Sequence, residues 1–219
     1  MEKKIILGIS SSPRKGANTD IMLHEALRAA ETVEGIETKA IYLRDYDIHN
    51  CRGCFACCRE PGKRENGKYA CAMFKDGMEE IYPLLKECHG LILASPVYFG
   101  SINAQMKQFM DRTEGLLRYG TSQYQYGLQN KVGGCLAVGG NRNAGEEFTL
   151  LAMQYYFQVH DMIVVGSGGE PTPGCYLGGS CTTYPNKGDV VDGILQDEIG
   201  LKSTRNTGIK VAQTVMRLK

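Results

Sequence analysis

Short apolar runs alternate with amphipathic stretches along nearly the whole chain, and this alternation leaves few folds open. The run KIILGIS at 4–10 is continuous, rich in β-branched residues and followed by the turn-rich SSPRKGANTD, the pattern of a strand buried on both faces. A helix is expected next, capped by Asn18, Thr19 or Asp20, because Met22, Leu23, Ala26, Leu27, Ala30 and Val33 recur at helical spacing. Further strands are expected at TKAIYL, GLILAS, KVGGCLAVGG and MIVVGS. The helices between and after them are KDGMEEIYPLLKEC, NAQMKQFMDRTEGLL, EEFTLLAMQYYFQVH and TRNTGIKVAQTVMRL. Strands separated by helices imply right-handed crossovers and a parallel sheet covered on both faces. The expected fold is therefore α/β, a doubly wound five-stranded parallel sheet of order 2-1-3-4-5, in one domain spanning 1–219. Residues 166–200, rich in Gly with Pro171, Pro173 and Pro185, interrupt the regularity and are read as a long functional loop.

Charge and hydropathy narrow the partners. Basic and acidic residues nearly cancel at a formal charge of +1, which provides no electrostatic footprint for nucleic acid or an anionic membrane. The apolar run in MEKKIILGIS is too short for a signal peptide, and no stretch approaches the roughly 20 apolar residues of a membrane span. A cytoplasmic protein acting on a small molecule is expected. In that compartment disulfides are disfavoured, so nine cysteines point to metal, cluster or redox use.

In a doubly wound sheet, ligands bind beyond the carboxyl ends of the strands, so the loops after the first, third and fourth strands belong together. SSPRKGANTD offers Ser10, Ser11, Ser12, Thr19, the Asn18 amide and the cations Arg14 and Lys15 where a helix begins, a suitable seat for phosphate. It is neither a Walker loop nor a GxGxxG dinucleotide turn. SPVYFGS places Pro96, Val97, Tyr98, Phe99 and Gly100 where aromatic rings can flank a flat heterocycle. GGNRNAGEE intersperses Gly139, Gly140 and Gly145 with Asn141, Arg142 and Asn143, so backbone can approach a ligand and donors can reach its carbonyl oxygens. Taken singly each is an ordinary turn; in this order they describe a flavin mononucleotide site.

These loops, with SPVYFGSINAQMKQFMDR as the most specific stretch, resemble the flavodoxin-like NADPH-dependent FMN reductase family over about residues 3–165, and the cysteines resemble those of its iron–sulfur flavoprotein branch. The resemblance implies FMN with its phosphate near Ser10, Ser12, Arg14, Asn18 and Thr19. It implies that Pro96 to Gly100 and Gly140 to Gly145 line the ring and ribityl chain, and that the protein is a homodimer or homotetramer with the flavin near a subunit interface. Lys107, Asp111 and Arg112 lie in the same motif, where a salt-bridged helix face is at least as good a reading as a catalytic role.

Cys51, Cys54 and Cys57 form CxxCxxC, a spacing with which one short loop can wrap a compact metal centre while a fourth thiolate comes from elsewhere. Adjacent side chains rarely aim at one centre without strain, so Cys71 is preferred to Cys58 as the fourth ligand, although the intervening insertion is longer than the branch's pattern. A [4Fe–4S] cluster on Cys51, Cys54, Cys57 and Cys71 leads; a zinc site and metal-free thiols remain open. Cys88 and Cys135 are expected as buried packing residues, and Cys175 and Cys181 as loop residues or exposed redox thiols.

The function expected is an FMN-dependent oxidoreductase linking a two-electron donor or acceptor to a one-electron carrier such as ferredoxin. One alternative is a cluster-free NAD(P)H-dependent FMN or quinone reductase. Another is a non-catalytic zinc-binding or redox-sensing module. No catalytic side chain is assigned: Tyr98 reads as packing, and His160 as a capping or surface residue.

Overall fold

The computed structural model describes residues 3–59, 71, 73–117, 127–141, 143–168, 175–186 and 190–218. Its strands are β1 (Lys4–Ser10), β2 (Ile36–Tyr42), β3 (Gly90–Tyr98), β4 (Ser101–Ile102), β5 (Val132–Gly139), β6 (Ile163–Val164) and β7 (Gly179–Thr182). Its helices are α1 (Asn18–Glu31), α2 (Ala56–Arg59), α3 (Met78–Glu87), α4 (Ala104–Arg112), α5 (Glu146–Val159) and α6 (Glu198–Arg217). The sheet runs β2-β1-β3-β5-β6, with β4 paired antiparallel to the end of β3.

The expected doubly wound sheet is present, with one departure in its fifth position. That position is shared: Ile163 and Val164 pair with Val132 and Gly133 at the start of β5, while Gly179–Thr182 pair in parallel with Leu136–Gly139 at its end. The chain leaves the sheet between the two and returns, so the segment read as a loop supplies half a strand. Sequence periodicity could not announce this, because GSCT is short, polar and glycine-bearing.

Side-chain alternation along the strands divides the core into two layers. Ile6, Ile92 and Leu136 pack with Leu23 and Leu27 of α1 and Val211 and Val215 of α6. Leu7, Ile9 and Leu91 face Ile81 of α3, Phe109 of α4 and Phe157 of α5 on the other side. Each such fully buried side chain stabilises the fold by roughly 1.5–3 kcal/mol relative to exposure.

Helix α6 begins six residues before the expected start at Thr204, because Asp197 accepts a hydrogen bond from the Gly200 N–H at 2.9 Å as its N-cap and because its first buried face is Gly200, Leu201, Ser203 and Thr204 rather than an apolar stripe. Cys88 and Cys135 are buried as expected, and burial pushes the Cys88 thiol up to about 11. Cys175 and Cys181 depart from the exposed reading: both are buried, and burial holds Cys181, a strand residue in β7, up at about 12. His160 is the C-cap of α5, as the capping reading has it, but it is buried rather than on the surface. It lies buried at the C-terminus of α5, 3.0 Å from the Thr113 hydroxyl, with burial lowering it to about 4.

Candidate functional site

The loop between β1 and α1 is organised by Asp20. This carboxylate, 3 % exposed, accepts hydrogen bonds from the Ser10 hydroxyl at 2.6 Å and the Gly16 N–H at 2.7 Å, and pairs with Arg44 at 2.9 Å. Arg44 also donates to the Ser12 carbonyl at 3.1 Å. The Arg44 guanidinium balances the charge of this buried acid. Ala17 is the N-cap of the helix and supplies no side-chain cap, so Asn18, Thr19 and Asp20 form the first turn rather than the N-cap. Its N-terminal N–H groups carry the positive end of the helix dipole.

The side chains expected around a phosphate divide into two groups. Arg14 and Lys15 are exposed on the loop. Ser10, Ser12, Asn18 and Thr19 are buried, and three of them act on the protein. Ser10 donates to Asp20, Ser12 donates to the Arg14 carbonyl at 2.9 Å, and the Asn18 amide donates to the Val190 carbonyl at 2.6 Å while its oxygen accepts from the Ile194 N–H at 3.1 Å.

The three loops meet at the carboxyl end of the sheet. Asn103, the N-cap of α4, accepts from the Met106 N–H and donates to the Ser11 carbonyl at 2.6 Å, pinning the second loop to the first. Gly145, at φ +106°, lies so close to Gly100 that a Cβ there would sit 2.6 Å from the Gly100 Cα, pinning the third loop to the second. Buried Glu146 accepts from the Ala144 N–H at 2.8 Å and holds the third loop's shape. Residues of the split fifth strand close the ring, since the Thr183 N–H donates to the Gly139 carbonyl at 2.9 Å and the Thr182 hydroxyl to the Asn141 carbonyl at 3.2 Å.

Within this ring, Tyr98 and Phe99 project outward, Phe99 fully exposed at φ +50°. Pro96 is half-buried, whereas Val97 packs against the core. Backbone at Gly16, Gly100 and Gly140 has no atom of the other described residues within 4 Å of where a Cβ would stand. Arg142 lies outside the described residues. Asp20, Arg44, Asn103 and Glu146 were not singled out from the sequence as site residues; of these, Asp20 and Asn103 carried a signal, a capping residue type at the start of a helical repeat.

The cysteine segment leaves β2 beside this ring. Cys51 is exposed, and Cys54, Cys57 and Cys71 are half-buried. Among the described residues, no three His, Cys, Asp or Glu side chains stand close enough together to hold a metal ion. Burial raises the Tyr82 hydroxyl, the Arg112 charge pulls it down, and Cys71 and Cys57 both add to the rise. The Cys58 side chain and residues 60–70 lie outside the described part. Lys107 and Asp111 form the exposed i,i+4 pair read from the sequence, at 2.5 Å, whereas Arg112 is buried and turns the other way.

Fold and loops together define a flavodoxin-like α/β protein whose three loops meet at the carboxyl edge of the sheet. The family model for NADPH-dependent FMN reductase matches residues 5–169, and the chain belongs to that family. It is 42 % identical over 214 residues to an iron–sulfur flavoprotein of Methanocaldococcus jannaschii, covering 98 % of each chain. It is 37 % identical over 165 residues to an iron–sulfur flavoprotein of Methanosarcina thermophila, covering 75 % of this chain and 78 % of the relative. Among solved structures, RosB with a bound 8-demethyl-8-formylriboflavin-5'-phosphate intermediate superposes with a TM-score of 0.73 at 14 % identity, covering 98 % of this chain and 80 % of that one. An NADH:FMN oxidoreductase superposes with a TM-score of 0.60 at 20 % identity, covering 99 % and 91 %. At those identities the superpositions speak for the fold alone. No helix among the described residues is long and apolar enough to cross a membrane.

Proposed function

We propose that the chain is an FMN-dependent oxidoreductase that couples a two-electron donor or acceptor, such as NAD(P)H, to a one-electron carrier such as ferredoxin, with FMN in the three-loop crevice and an iron–sulfur cluster on the cysteine segment. When bound, the flavin supplies hydride-equivalent chemistry and the cluster single-electron exchange. The observation that carries the reading is the convergence of an uncapped helix N-terminus, an exposed aromatic turn and a glycine-rich loop, joined by the Ser11–Asn103 and Gly100–Gly145 contacts.

These residues fit a flavin mononucleotide. The α1 N-terminus offers N–H donors to the phosphate, with Arg14 and Lys15 as nearby cations. Open backbone at Gly16, Gly100 and Gly140 admits the ligand closely, and Tyr98 and Phe99 offer apolar faces to the ring. Ser10 and Asn18 act by shaping the loop rather than by touching phosphate. For the cluster, the donor set is suitable in its chemistry: four cysteine side chains at Cys51, Cys54, Cys57 and Cys71, none of them fully buried. The name of the 42 %-identical relative supports the same assignment.

The exposed face of α5 supports a homodimer or homotetramer. Phe148, Leu151, Tyr155 and Val159 recur at helical spacing and are all exposed, on a helix whose first turn adjoins the Phe99 loop.

The reading is tested by iron, acid-labile sulfide, zinc and flavin content of protein purified without oxygen. Roughly four irons and four sulfides per FMN are expected for a cluster of this type. FMN without iron would instead make the protein an NAD(P)H-dependent FMN or quinone reductase, revealed by rapid anaerobic bleaching with NAD(P)H. Zinc without flavin would leave a non-catalytic module.

A further inference from the structure

Arg112 is the last residue of α4, and its side chain is 1 % exposed. Its guanidinium forks onto Asp76, itself 2 % exposed, with Nη1 2.5 Å from Oδ2 and Nη2 3.0 Å from Oδ1. The same Nη1 donates to the His49 carbonyl at 2.7 Å, and the His49 N–H donates back to Asp76 Oδ2 at 3.0 Å. Three groups thus close one ring of charge-assisted hydrogen bonds. His49 stands two residues before Cys51, and Asp76 five residues after Cys71.

The closure is reinforced on its apolar side. The His49 ring stacks on Phe74 at 4.8 Å, and the Arg112 and Arg52 guanidinium groups lie 5.1 and 5.3 Å from the centre of the same ring. The Gly77 N–H donates to the Asp47 carbonyl at 2.8 Å. Arg112 Nε has no partner among the described residues, so one donor remains beyond those that close the loop. Taking two charges out of water is costly, and such a pair does little for stability that well-packed apolar residues could not do. Its placement argues for geometry. The two limbs that carry Cys51 and Cys71 are tied to each other and to the C-terminus of α4, while Asn103 at the other end of that helix pins the aromatic loop.

Resting on the cluster reading above, we propose that Arg112 is the positioning residue of the cysteine segment. With Asp76 it closes the base of the loop so that thiols from both limbs can face one centre, and its fixed positive charge favours the more reduced, more negative state of that centre.

The test is anaerobic purification of the full chain and of Arg112→Gln, Arg112→Lys and Asp76→Asn, with iron, sulfide and FMN content, the electron paramagnetic resonance spectrum and the cluster midpoint potential measured on each. Arg112→Gln is expected to lose iron at least twofold relative to FMN, and the cluster that remains is expected to have a lower potential. Arg112→Lys, which keeps the charge without the fork, should lose iron but hold a potential nearer that of the parent. If Arg112→Gln does not fold, the nearly isosteric Asp76→Asn carries the same test of iron loss against retained FMN. Parental iron, sulfide and potential in the variants would overturn the proposal, as would iron and FMN falling in parallel, the mark of general destabilisation. Iron-free parent protein would overturn the cluster reading, and this inference with it.

Discussion

Asp20 is a negative charge in a loop proposed to hold a phosphate, and its neighbours explain why it is there. It accepts hydrogen bonds from the Ser10 hydroxyl and the Gly16 N–H and balances Arg44, whose side chain is 11 % exposed. Removing one member of such a pair leaves an uncompensated, largely buried charge, which costs about 3–5 kcal/mol, whereas removing both costs less. Asp20→Asn should therefore lower the urea midpoint markedly, and Asp20→Asn combined with Arg44→Gln should recover part of the loss. A double variant as unstable as the sum of the singles would show that the two side chains are not coupled. Arg14 differs, being exposed on the same loop. Arg14→Ala should weaken FMN retention by about 1.5–3 kcal/mol through loss of a charge-assisted contact, measured by fluorescence titration, while leaving the melting temperature of the flavin-free protein nearly unchanged. Unaltered FMN affinity would remove Arg14 from the phosphate site.

At the scale of elements, the loops are held by contacts that leave no mark on periodicity. The strands and helices that position the site were legible because KIILGIS, GLILAS and their flanking helices bury continuous or helically spaced apolar residues. The loops themselves were legible as residue types: an aromatic turn, a glycine-rich turn, a helix start. The Gly145–Gly100 approach, the Asn103–Ser11 bond and the two-piece fifth strand were not, since each joins residues far apart in sequence and none has a compositional signature. The protein partners of Ser10 and Asn18 were not legible for the same reason: a hydroxyl or amide in a loop shows no partner until the fold brings Asp20, Val190 and Ile194 to it. Two glycines of the third loop separate these effects. Alanine at Gly145 would be strained at φ +106° and would collide with Gly100, so Gly145→Ala should cost about 1–3 kcal/mol and weaken FMN binding as well. No described residue crowds Gly140, so Gly140→Ala should leave the flavin-free protein as stable as its parent and weaken FMN binding alone, as seen by paired thermal melts and flavin titrations. Equal effects of the two substitutions would mean that Gly140 does not face the ligand.

For the whole molecule, two buried groups set separate windows of acid sensitivity. Burial lowers His160 from 6.5 to about 4, so the unfolded chain binds its proton before the folded one does. Its contribution is therefore fully present above about pH 6.5 and is lost as pH falls towards 4, by roughly 3 kcal/mol over that span. Asp76 acts lower. Burial would raise its carboxyl, but the hydrogen bonds from Arg112, His49 and Met78, together with the Arg112 charge, bring it from 3.8 down to about 2. Its stabilisation, roughly 2 kcal/mol, is intact above pH 3.8 and is lost between there and pH 2. Between pH 6.5 and 4 the carboxylate of Asp76 thus contributes little to the slope, and the histidine can be isolated by subtraction. Urea unfolding of the parent and of His160→Gln, repeated at pH 7.5, 6.5, 5.5 and 4.5 in matched buffers, should give stabilities whose difference shifts in favour of the variant as pH falls. Groups common to both proteins cancel in that difference, including any cofactor released by acid from both alike. A difference that stays constant across the four pH values would mean that His160 takes up its proton as readily in the folded protein as in the unfolded chain.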